Sequence, residues 1–334
     1  MPAIIHQDND ADLSLLENKT IAVLGYGSQG HAHAQNLRES GLRVIVAELP
    51  ETDNHRQAVA DGFQPVSAAE AVRQSDVAAV LLPDEVVHEV FRAEIRDHLT
   101  PGDVLIFAHG FNVRFGLIDV PEGVSAVLVA PLGPGCLVRE KYVRGEGVPC
   151  LIATAEGAGR DAMAVGLAYA KGIGCTRAGA IETTFAEETE TDLFGEQAVL
   201  CGGLSALMQA GFETLVEAGY QPEIAYLVSV HEVKQIVDLI HQGGLGYMRR
   251  CVSNTAEYGD YTRGPRIIDD RTKAEMRRIL AEISDGRFAR EWIEENRSGA
   301  ADFEEMRRRQ AAHSMGEIGR RMRELISGVN AKEG

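Results

Sequence analysis

The stretch Thr20-Ile21-Ala22-Val23-Leu24-Gly25-Tyr26-Gly27-Ser28-Gln29-Gly30 determines the fold expected for the N-terminal half of the chain. An apolar, β-branched run leads into a G-x-G-x-x-G loop, and a helix-like segment follows at residues 31–40. In this setting the first glycine permits a tight turn, the second admits a pyrophosphate, and the third lets the helix pack on the strand. The start of the helix adds free N–H groups that attract phosphate. The pattern therefore predicts a dinucleotide site at Gly25, Tyr26, Gly27, Ser28, Gln29 and Gly30.

Strand-like and helix-like segments alternate through the first half of the chain, which predicts an α/β, Rossmann-like parallel sheet. The predicted strands lie at residues 21–24, 44–47, 77–82, 104–108, 126–130 and 148–153. Such sheets bind ligands beyond the carboxyl ends of their strands. The loops that follow three of these strands therefore supply candidate cofactor and substrate contacts, namely Leu82, Pro83, Asp84, His109, Leu132, Gly135 and Cys136.

Helical periodicity replaces this alternation from residue 183 onward. Helix-like segments occupy residues 191–211, 222–241, 272–285 and 302–326. We therefore expect a dinucleotide-binding domain at residues 1–182 and an all-helical domain at residues 183–328. The helices carry long apolar faces that a single chain leaves uncovered, which indicates a homodimer or a larger oligomer.

Composition and charge exclude several classes of partner. The 334 residues carry a formal net charge of −17, which argues against nucleic acid and anionic membranes as partners. The five cysteines show no C-x-x-C spacing, and they indicate reduced thiols in a cytoplasmic protein. The first ten residues do not resemble a signal peptide, and no apolar run approaches the roughly 20 residues that span a bilayer.

Two carboxylates in the helical half have the spacing of a metal site. Asp192 and Glu196 are four residues apart, so a helix places them on one face. The arrangement is most typical of an acidic helix start, which the helix dipole favours. It also fits a Mg²⁺ site, since Mg²⁺ prefers carboxylate oxygens. Glu232, beside His231, has no comparable signal of its own.

Six longer motifs resemble the short, class I ketol-acid reductoisomerases. They are GYGSQGHAHAQ at residues 25–35, FAHGF at 107–111, YAKGIGCTRAGAIETT at 169–184, EETETDLFGEQAVLCGG at 187–203, GFETLVEAGY at 211–220 and SNTAEYGDY at 253–261. The resemblance implies a Rossmann-like domain followed by a knotted helical domain, in a homodimer or larger assembly whose active sites are shared between subunits. Members of this family use two Mg²⁺ ions for an alkyl shift in a 2-hydroxy-2-methyl-3-keto acid, and NADPH then reduces the new ketone.

The resemblance also implies roles for individual residues. Asp192 and Glu196 would be metal ligands, Glu232 would be a ligand contributed to the partner subunit, and Ser253 would contact the substrate carboxylate. His109 would lie beside the nicotinamide and the substrate, although a histidine that caps a strand end fits the residue alone. Together with Glu196 and Glu232, His109 is a candidate proton donor.

Two departures from the family pattern remove groups that this family uses for alkyl migration. The family loop P-K-G-P-G-H is P-L-G-P-G-C at residues 131–136, so Leu132 replaces the catalytic lysine and Cys136 replaces a histidine. Val228 replaces a glutamate four residues before Glu232. Removing one preorganised cation of this kind typically costs about 10²–10³ in rate. We therefore expect a poor site for two Mg²⁺ ions and a more apolar pocket.

A third departure concerns the cofactor. The family's phosphate-binding arginine corresponds to Leu49, and its two serines correspond to Thr52 and Asn54. Glu48 stands at the end of the second predicted strand, 18 residues after Gly30, where an acid binds the ribose 2′-hydroxyl of NAD. We therefore expect NADH to be preferred over NADPH, although an exposed acidic loop has the same pattern.

Three interpretations follow from these departures. The chain is a family member repurposed to reduce a C=O or C=N group of a small molecule in specialised biosynthesis, with NADH and without migration. Alternatively, it is a genuine ketol-acid reductoisomerase that converts 2-acetolactate for branched-chain amino acids, in which case Arg139 or Lys141 would replace the lysine. The third interpretation is a non-catalytic nucleotide-binding subunit.

Overall fold

The run that leads into the glycine loop forms a central strand of a mixed sheet. The structure is a computed structural model that describes residues 2–327. In that part of the chain one sheet holds the strands β1 (Ile5–His6), β2 (Thr20–Leu24), β3 (Arg43–Ala47), β4 (Val77–Val80), β5 (Val104–Phe107), β6 (Ser125–Pro131), β7 (Cys150–Thr154) and β8 (Ala180–Glu182). Their order across the sheet is β1-β8-β7-β6-β5-β4-β2-β3.

The Rossmann-like character of the sheet is confirmed for strands β2 to β6, which run parallel to one another. The chain passes from β2 to β3 on one side and then returns to β4 on the other side of β2, and this switch point is where such sheets bind ligands. The prediction of a parallel strand is wrong for β7, which runs antiparallel to β6. Pro131 lies opposite Cys150, so the connection from β6 to β7 begins and ends at the same end of the two strands and makes no crossover. Strands β1 and β8 are too short to show a sequence pattern.

Helices cover the sheet and form the rest of the described chain. Every residue of β4 and β5 is buried, as expected for strands covered on both faces. In chain order the helices are α1 (Ser28–Glu39), α2 (Asp53–Ala60), α3 (Ala68–Arg73), α4 (Asp84–Val90), α5 (Phe111–Arg114), α6 (Gly135–Val143), α7 (Ala162–Gly172), α8 (Phe185–Phe194), α9 (Gly202–Glu217), α10 (Pro222–Tyr226), α11 (Glu232–Cys251), α12 (Asn254–Ile267), α13 (Asp270–Ser284), α14 (Arg287–Arg297), α15 (Ala301–Ala311) and α16 (Ser314–Ser327).

The chain divides into two units, one ending at Thr191 and the other beginning at Asp192. The expected domain boundary at residues 182 and 183 falls nine residues earlier, because the first turns of α8 pack on the loop after β5. The expected end of the second domain, residue 328, lies outside the described residues.

The second unit is helical, as predicted. One of its cores joins Phe212 of α9, Ala225 and Tyr226 of α10, and Met322 of α16. A Cβ atom on Gly319 of α16 would lie 2.6 Å from the Tyr226 ring, so glycine permits this close helix contact. The C-terminal helix therefore packs on helices from early in the unit, and the knot stays a prediction.

One helical stretch corrects the expectation that the sequence has no long apolar run. Within residues 2–327, the stretch Phe185–Glu217 is long and apolar enough, by length and composition only, to cross a bilayer. Only 6% of its apolar window is buried. The carboxylates of this stretch cluster in its first turns, which is why the apolar part that follows was underestimated. The exposed apolar surface fits the predicted subunit interface.

A buried histidine makes the first unit sensitive to acid. His33 of α1 is fully buried, and its Nδ1 atom lies 2.9 Å from the hydroxyl of Tyr169 on α7. Within the described residues its Nε2 atom has no hydrogen-bond partner. Burial lowers the pKa of His33 to about 3, so the ring is neutral in the folded protein.

We expect His33 to destabilise the protein on acidification. The pKa is lower in the folded state than in the unfolded state, so the unfolded chain binds the proton first as the pH falls below about 6.5. Between pH 7 and pH 5 this lowers the free energy of unfolding by about 2 kcal/mol. Urea unfolding measures the free energy of unfolding at both pH values. Its decrease from pH 7 to pH 5 should be about 2 kcal/mol smaller in His33→Gln than in the wild type. The exposed-site control His241→Gln should match the wild type. Equal losses in wild type and His33→Gln would contradict the prediction.

Candidate active site

The three glycines of the loop after β2 have the geometry of a dinucleotide cradle. Gly25 has a φ of +96°, and a Cβ atom there would lie 2.7 Å from the Leu81 carbonyl oxygen. A Cβ atom on Gly30 would lie 2.0 Å from the Gly25 carbonyl oxygen, so α1 packs directly on the loop. The nearest neighbour of a Cβ atom on Gly27 would be the Asn54 amide nitrogen, at 4.0 Å. Only the middle glycine therefore faces open space, where a pyrophosphate fits.

The loop after β6 is fastened to the glycine loop. A Cβ atom on Gly135 would lie 1.7 Å from the Ser28 carbonyl oxygen, and the Gly135 N–H donates to Ser28 Oγ at 3.1 Å. Gln29 donates from its side-chain amide to the Gly133 carbonyl at 2.9 Å. The side chains of Ser28 and Gln29 are thus occupied in joining the two loops. Any cofactor contact from this pair would come from their backbone or from remaining lone pairs.

Glu48 lies at the carboxyl end of β3 and contacts the glycine loop. One carboxylate oxygen accepts the Tyr26 N–H at 2.7 Å, and the other accepts the Leu49 N–H at 2.9 Å. The Tyr26 side chain points into the core, where its hydroxyl donates to Asp61 at 2.8 Å. Tyr26 therefore offers a ligand only its backbone, and Glu48 places a fixed negative charge beside the cradle.

Thr52 caps helix α2 and orders the loop between Glu48 and that helix. Its hydroxyl oxygen accepts the His55 N–H at 3.0 Å and donates to the Leu49 carbonyl at 2.9 Å. Glu51, which lies between Leu49 and Thr52, has a φ of +67°, a conformation that favours glycine. The loop is thus ordered by local contacts of its own residues.

Arg56 contacts this loop from helix α2, and sequence reasoning missed it. It lies on the first turn of α2, and its guanidinium donates to the Glu51 carbonyl at 2.6 Å and pairs with Asp53. Its side chain remains 63% exposed. The spacing of three residues between Asp53 and Arg56 was the available signal, since such residues are neighbours on a helix.

His109, after β5, is held by a buried carboxylate. Its Nδ1 atom lies 3.0 Å from Glu188 Oε1 on α8, and the side chain of Glu188 is only 3% exposed. The second oxygen of Glu188 accepts the Gly110 N–H at 2.9 Å and the Thr189 hydroxyl at 3.1 Å. Glu188 is therefore fully engaged in fixing the His109 loop, and it was missed because only the fold brings it to His109.

The other nitrogen of His109 faces a second carboxylate. Its Nε2 atom lies 4.0 Å from Asp84 Oδ2 at the start of α4, after Leu82 and Pro83. The Asp84 carbonyl accepts the Asn112 amide at 3.0 Å, which joins the loops after β4 and β5. An imidazole that a carboxylate holds at Nδ1 can exchange a proton through Nε2, which is the arrangement of a general acid or base.

Leu132 lies in the loop directly after β6. Its side chain is 50% exposed, and its N–H donates to the Pro149 carbonyl at 2.8 Å. Cys136 is also exposed, on the first turn of α6. The two cations that follow are occupied elsewhere. Arg139 donates to Asn36 at 2.8 Å and pairs with Glu39, and Lys141 pairs with Glu146.

The carboxylates expected to bind metal lie in the second unit, beside irregular helical turns. Glu196 is in a π-helical segment, Gly195–Leu200, which follows α8 and Asp192. A second π-helical segment, Leu227–His231, contains Val228 and ends directly before Glu232. Such segments are frequent at functional sites, and no residue pattern in the sequence indicates them. Asp192, Glu196 and Glu232 offer the oxygens that Mg²⁺ takes, whereas Val228 offers none.

Ser253 is the N-cap of α12. Its hydroxyl oxygen accepts the Ala256 N–H at 3.2 Å, and the residue is exposed. The serine hydroxyl thus stands at the start of a 14-residue helix, where N–H groups favour a carboxylate.

Comparisons with known proteins agree with this architecture. The family model described as "Acetohydroxy acid isomeroreductase, NADPH-binding domain" matches residues 15–179, and "Ketol-acid reductoisomerase, C-terminal domain" matches residues 185–327. A solved NADH-preferring ketol-acid reductoisomerase from an uncultured archean is 42% identical, with a TM-score of 0.94 over 97% of this chain and 99% of that chain.

More distant structures share the fold alone. A semialdehyde dehydrogenase NAD-binding protein from Cupriavidus necator is 21% identical, with a TM-score of 0.62 over 80% of this chain and 98% of that chain. A pyrroline-5-carboxylate reductase from Coxiella burnetii is 13% identical, with a TM-score of 0.56 over the same shares of the two chains.

Proposed function

The chain belongs to the ketol-acid reductoisomerase family, and we propose that it is an NADH-dependent reductase of this family that does not carry out alkyl migration. The family makes it an NAD(P)H-dependent oxidoreductase rather than a non-catalytic subunit. Its substrate would be a small molecule with a C=O or C=N group. The enzyme would work as a homodimer or larger oligomer, in which the exposed apolar helices are covered.

The observation that carries this proposal is the missing cation after β6. Family members place a lysine at the position of Leu132, where its ammonium stands beside developing oxyanions. The two cations that could replace it, Arg139 and Lys141, are paired with Glu39 and Glu146. Valine also stands at position 228, where the family has a glutamate, so one carboxylate fewer is available. Migration depends on these charged groups more than hydride transfer does.

The glycine cradle and His109 support a role in reduction. When bound, NADH would supply a hydride to an electrophilic carbon, and the glycine cradle would position the cofactor. His109, oriented by Glu188, supplies a proton from Nε2 to the developing alkoxide or amine. The reduction then balances, because hydride and proton together convert C=O to CH–OH, or C=N to CH–NH.

The preference for NADH rests on the charge beside the cradle. Glu48 is fixed on the Tyr26 N–H, in the position where an acid accepts hydrogen bonds from ribose hydroxyls. A 2′-phosphate would meet this carboxylate and those of Glu51 and Asp53. The 42% identical relative is itself described as NADH-preferring.

The experiment separates migration from hydride transfer. The purified enzyme is given NADH and Mg²⁺ with either 2-acetolactate or the already rearranged 3-hydroxy-3-methyl-2-keto acid, and NADH oxidation is followed by absorbance. A panel of other ketones and cyclic imines is tested in parallel. We expect no turnover with 2-acetolactate, turnover with at least one preformed acceptor, and tighter binding of NADH than of NADPH. Turnover of 2-acetolactate would overturn the loss of migration, and tighter NADPH binding would overturn the cofactor assignment.

A genuine ketol-acid reductoisomerase is the second candidate. It is favoured by the 42% identity to a ketol-acid reductoisomerase over nearly the whole of both chains. In that case the same assay would show Mg²⁺-dependent conversion of 2-acetolactate to 2,3-dihydroxyisovalerate.

A further inference from the structure

The first turn of α2 carries an arginine that is held within its own loop. The Arg56 guanidinium donates to the Glu51 carbonyl at 2.6 Å, and it pairs with the Asp53 carboxylate. The Asp53 side chain is 96% exposed and that of Arg56 is 63% exposed, so solvent competes with the pair. Pairs of this kind contribute little to stability, and a single substitution can redirect the arginine.

This turn borders the place where a dinucleotide would lie. The Asn54 amide is the nearest group to the open face of Gly27. Glu48 accepts a hydrogen bond from the N–H of Tyr26, the residue before Gly27. Asp53 and Arg56 flank Asn54 on the same turn. The ribose that follows the pyrophosphate in a bound dinucleotide would therefore reach the loop that Arg56 ties together.

The charges in this loop explain why the pairing matters. The loop has three carboxylates, on Glu48, Glu51 and Asp53, and Arg56 is the cation that its structure brings to them. Arginine is the side chain best suited to bind a phosphate through paired hydrogen bonds. A guanidinium already engaged by Asp53 and the Glu51 carbonyl has fewer donors to offer a 2′-phosphate.

We propose that Asp53 is a specificity-determining residue that favours NADH by holding Arg56 away from the 2′-phosphate of NADPH. The proposal rests on the assigned cofactor preference and adds a second device to it. Glu48 would repel the 2′-phosphate directly, whereas Asp53 would act through Arg56. An ion pair that merely supports the start of α2 would leave the cofactor preference unchanged when broken.

The test is a double-mutant cycle read out by equilibrium binding. Dissociation constants for NADH and NADPH are measured for the wild type, Asp53→Asn, Arg56→Gln and the double variant, by quenching of protein fluorescence or by calorimetry. We expect Asp53→Asn to tighten NADPH binding about tenfold, and to change NADH binding less than twofold. In the double variant most of that gain should disappear, because the gain requires the guanidinium.

Two controls separate pairing from simple loss of charge. Asp53→Glu keeps a carboxylate that can pair with Arg56, and it should keep the wild-type preference. Asp97→Asn makes the same charge change at an exposed site before β5, beside Arg96, and should leave both constants unchanged.

Two results would overturn the proposal. One is an unchanged dissociation constant for NADPH in Asp53→Asn. The other is that Asp53→Asn tightens NADPH binding equally with and without Arg56. A wild type that prefers NADPH would instead refute the assigned cofactor preference, and the wild-type titration alone detects that outcome.

Discussion

Gly110→Ala is expected to lower kcat of the reductase about a hundredfold while leaving NADH binding within twofold of the wild type. A Cβ atom at this position would lie 2.3 Å from Thr189 Oγ1 and 2.9 Å from Glu188 Oε2. Both groups are buried on α8. The added methyl group must therefore move the His109 loop or displace Glu188. A shift of about 1 Å in a proton donor is enough for such a loss.

The measurement is steady-state kinetics with an acceptor that the panel assay identifies, together with thermal unfolding and NADH binding. Gly316→Ala is the matched control, because a Cβ atom there meets nothing within 4 Å. Should Gly110→Ala fail to fold, Glu188→Gln tests the same point with little change in shape. The amide has one acceptor oxygen where the carboxylate has two, so either the His109 ring or the Gly110 N–H loses its partner and kcat should fall. A folded Gly110→Ala variant with kcat within threefold of the wild type would refute the role given to this loop.

The features that could be predicted from the sequence are local in the chain. The conformations of Gly25 and Gly30 follow from the spacing of the loop between a strand and a helix. The position of Glu48 follows from counting to the end of the next strand. Most predicted strands were correct for the same reason, because buried parallel strands read as short apolar runs.

The features that could not be predicted depend on distant packing or on side-chain geometry. Glu188 lies 79 residues from His109 in the chain, and nothing in the acidic run around it distinguishes the one carboxylate that turns inward. The reversed direction of β7 depends on where the connection after β6 returns, not on the apolar pattern of the strand. The pairing of Arg56 depends on a rotamer. The domain limits, the knot and the metal ligands stay predictions.

Joint replacement of Leu132 by lysine and Val228 by glutamate is expected to create conversion of 2-acetolactate in a protein that otherwise lacks it. The lysine would return a cation to the wall after β6, where Arg139 and Lys141 are engaged elsewhere. The glutamate would return a fourth carboxylate to the set formed by Asp192, Glu196 and Glu232. Each group is expected to contribute at least about 10²-fold to migration. The double variant should therefore exceed either single variant by that factor.

The assay measures NADH oxidation with 2-acetolactate, with and without Mg²⁺, and identifies the product. Leu132→Met with Val228→Leu is the matched control, since it changes the same two positions and restores no charge. The gain should vanish when the metal is chelated, whereas reduction of a preformed acceptor should be affected much less. Conversion of 2-acetolactate by the unmodified enzyme would contradict the proposed loss of alkyl migration. A folded double variant that binds NADH and still leaves 2-acetolactate untouched would show that the two aliphatic residues are not what prevents migration.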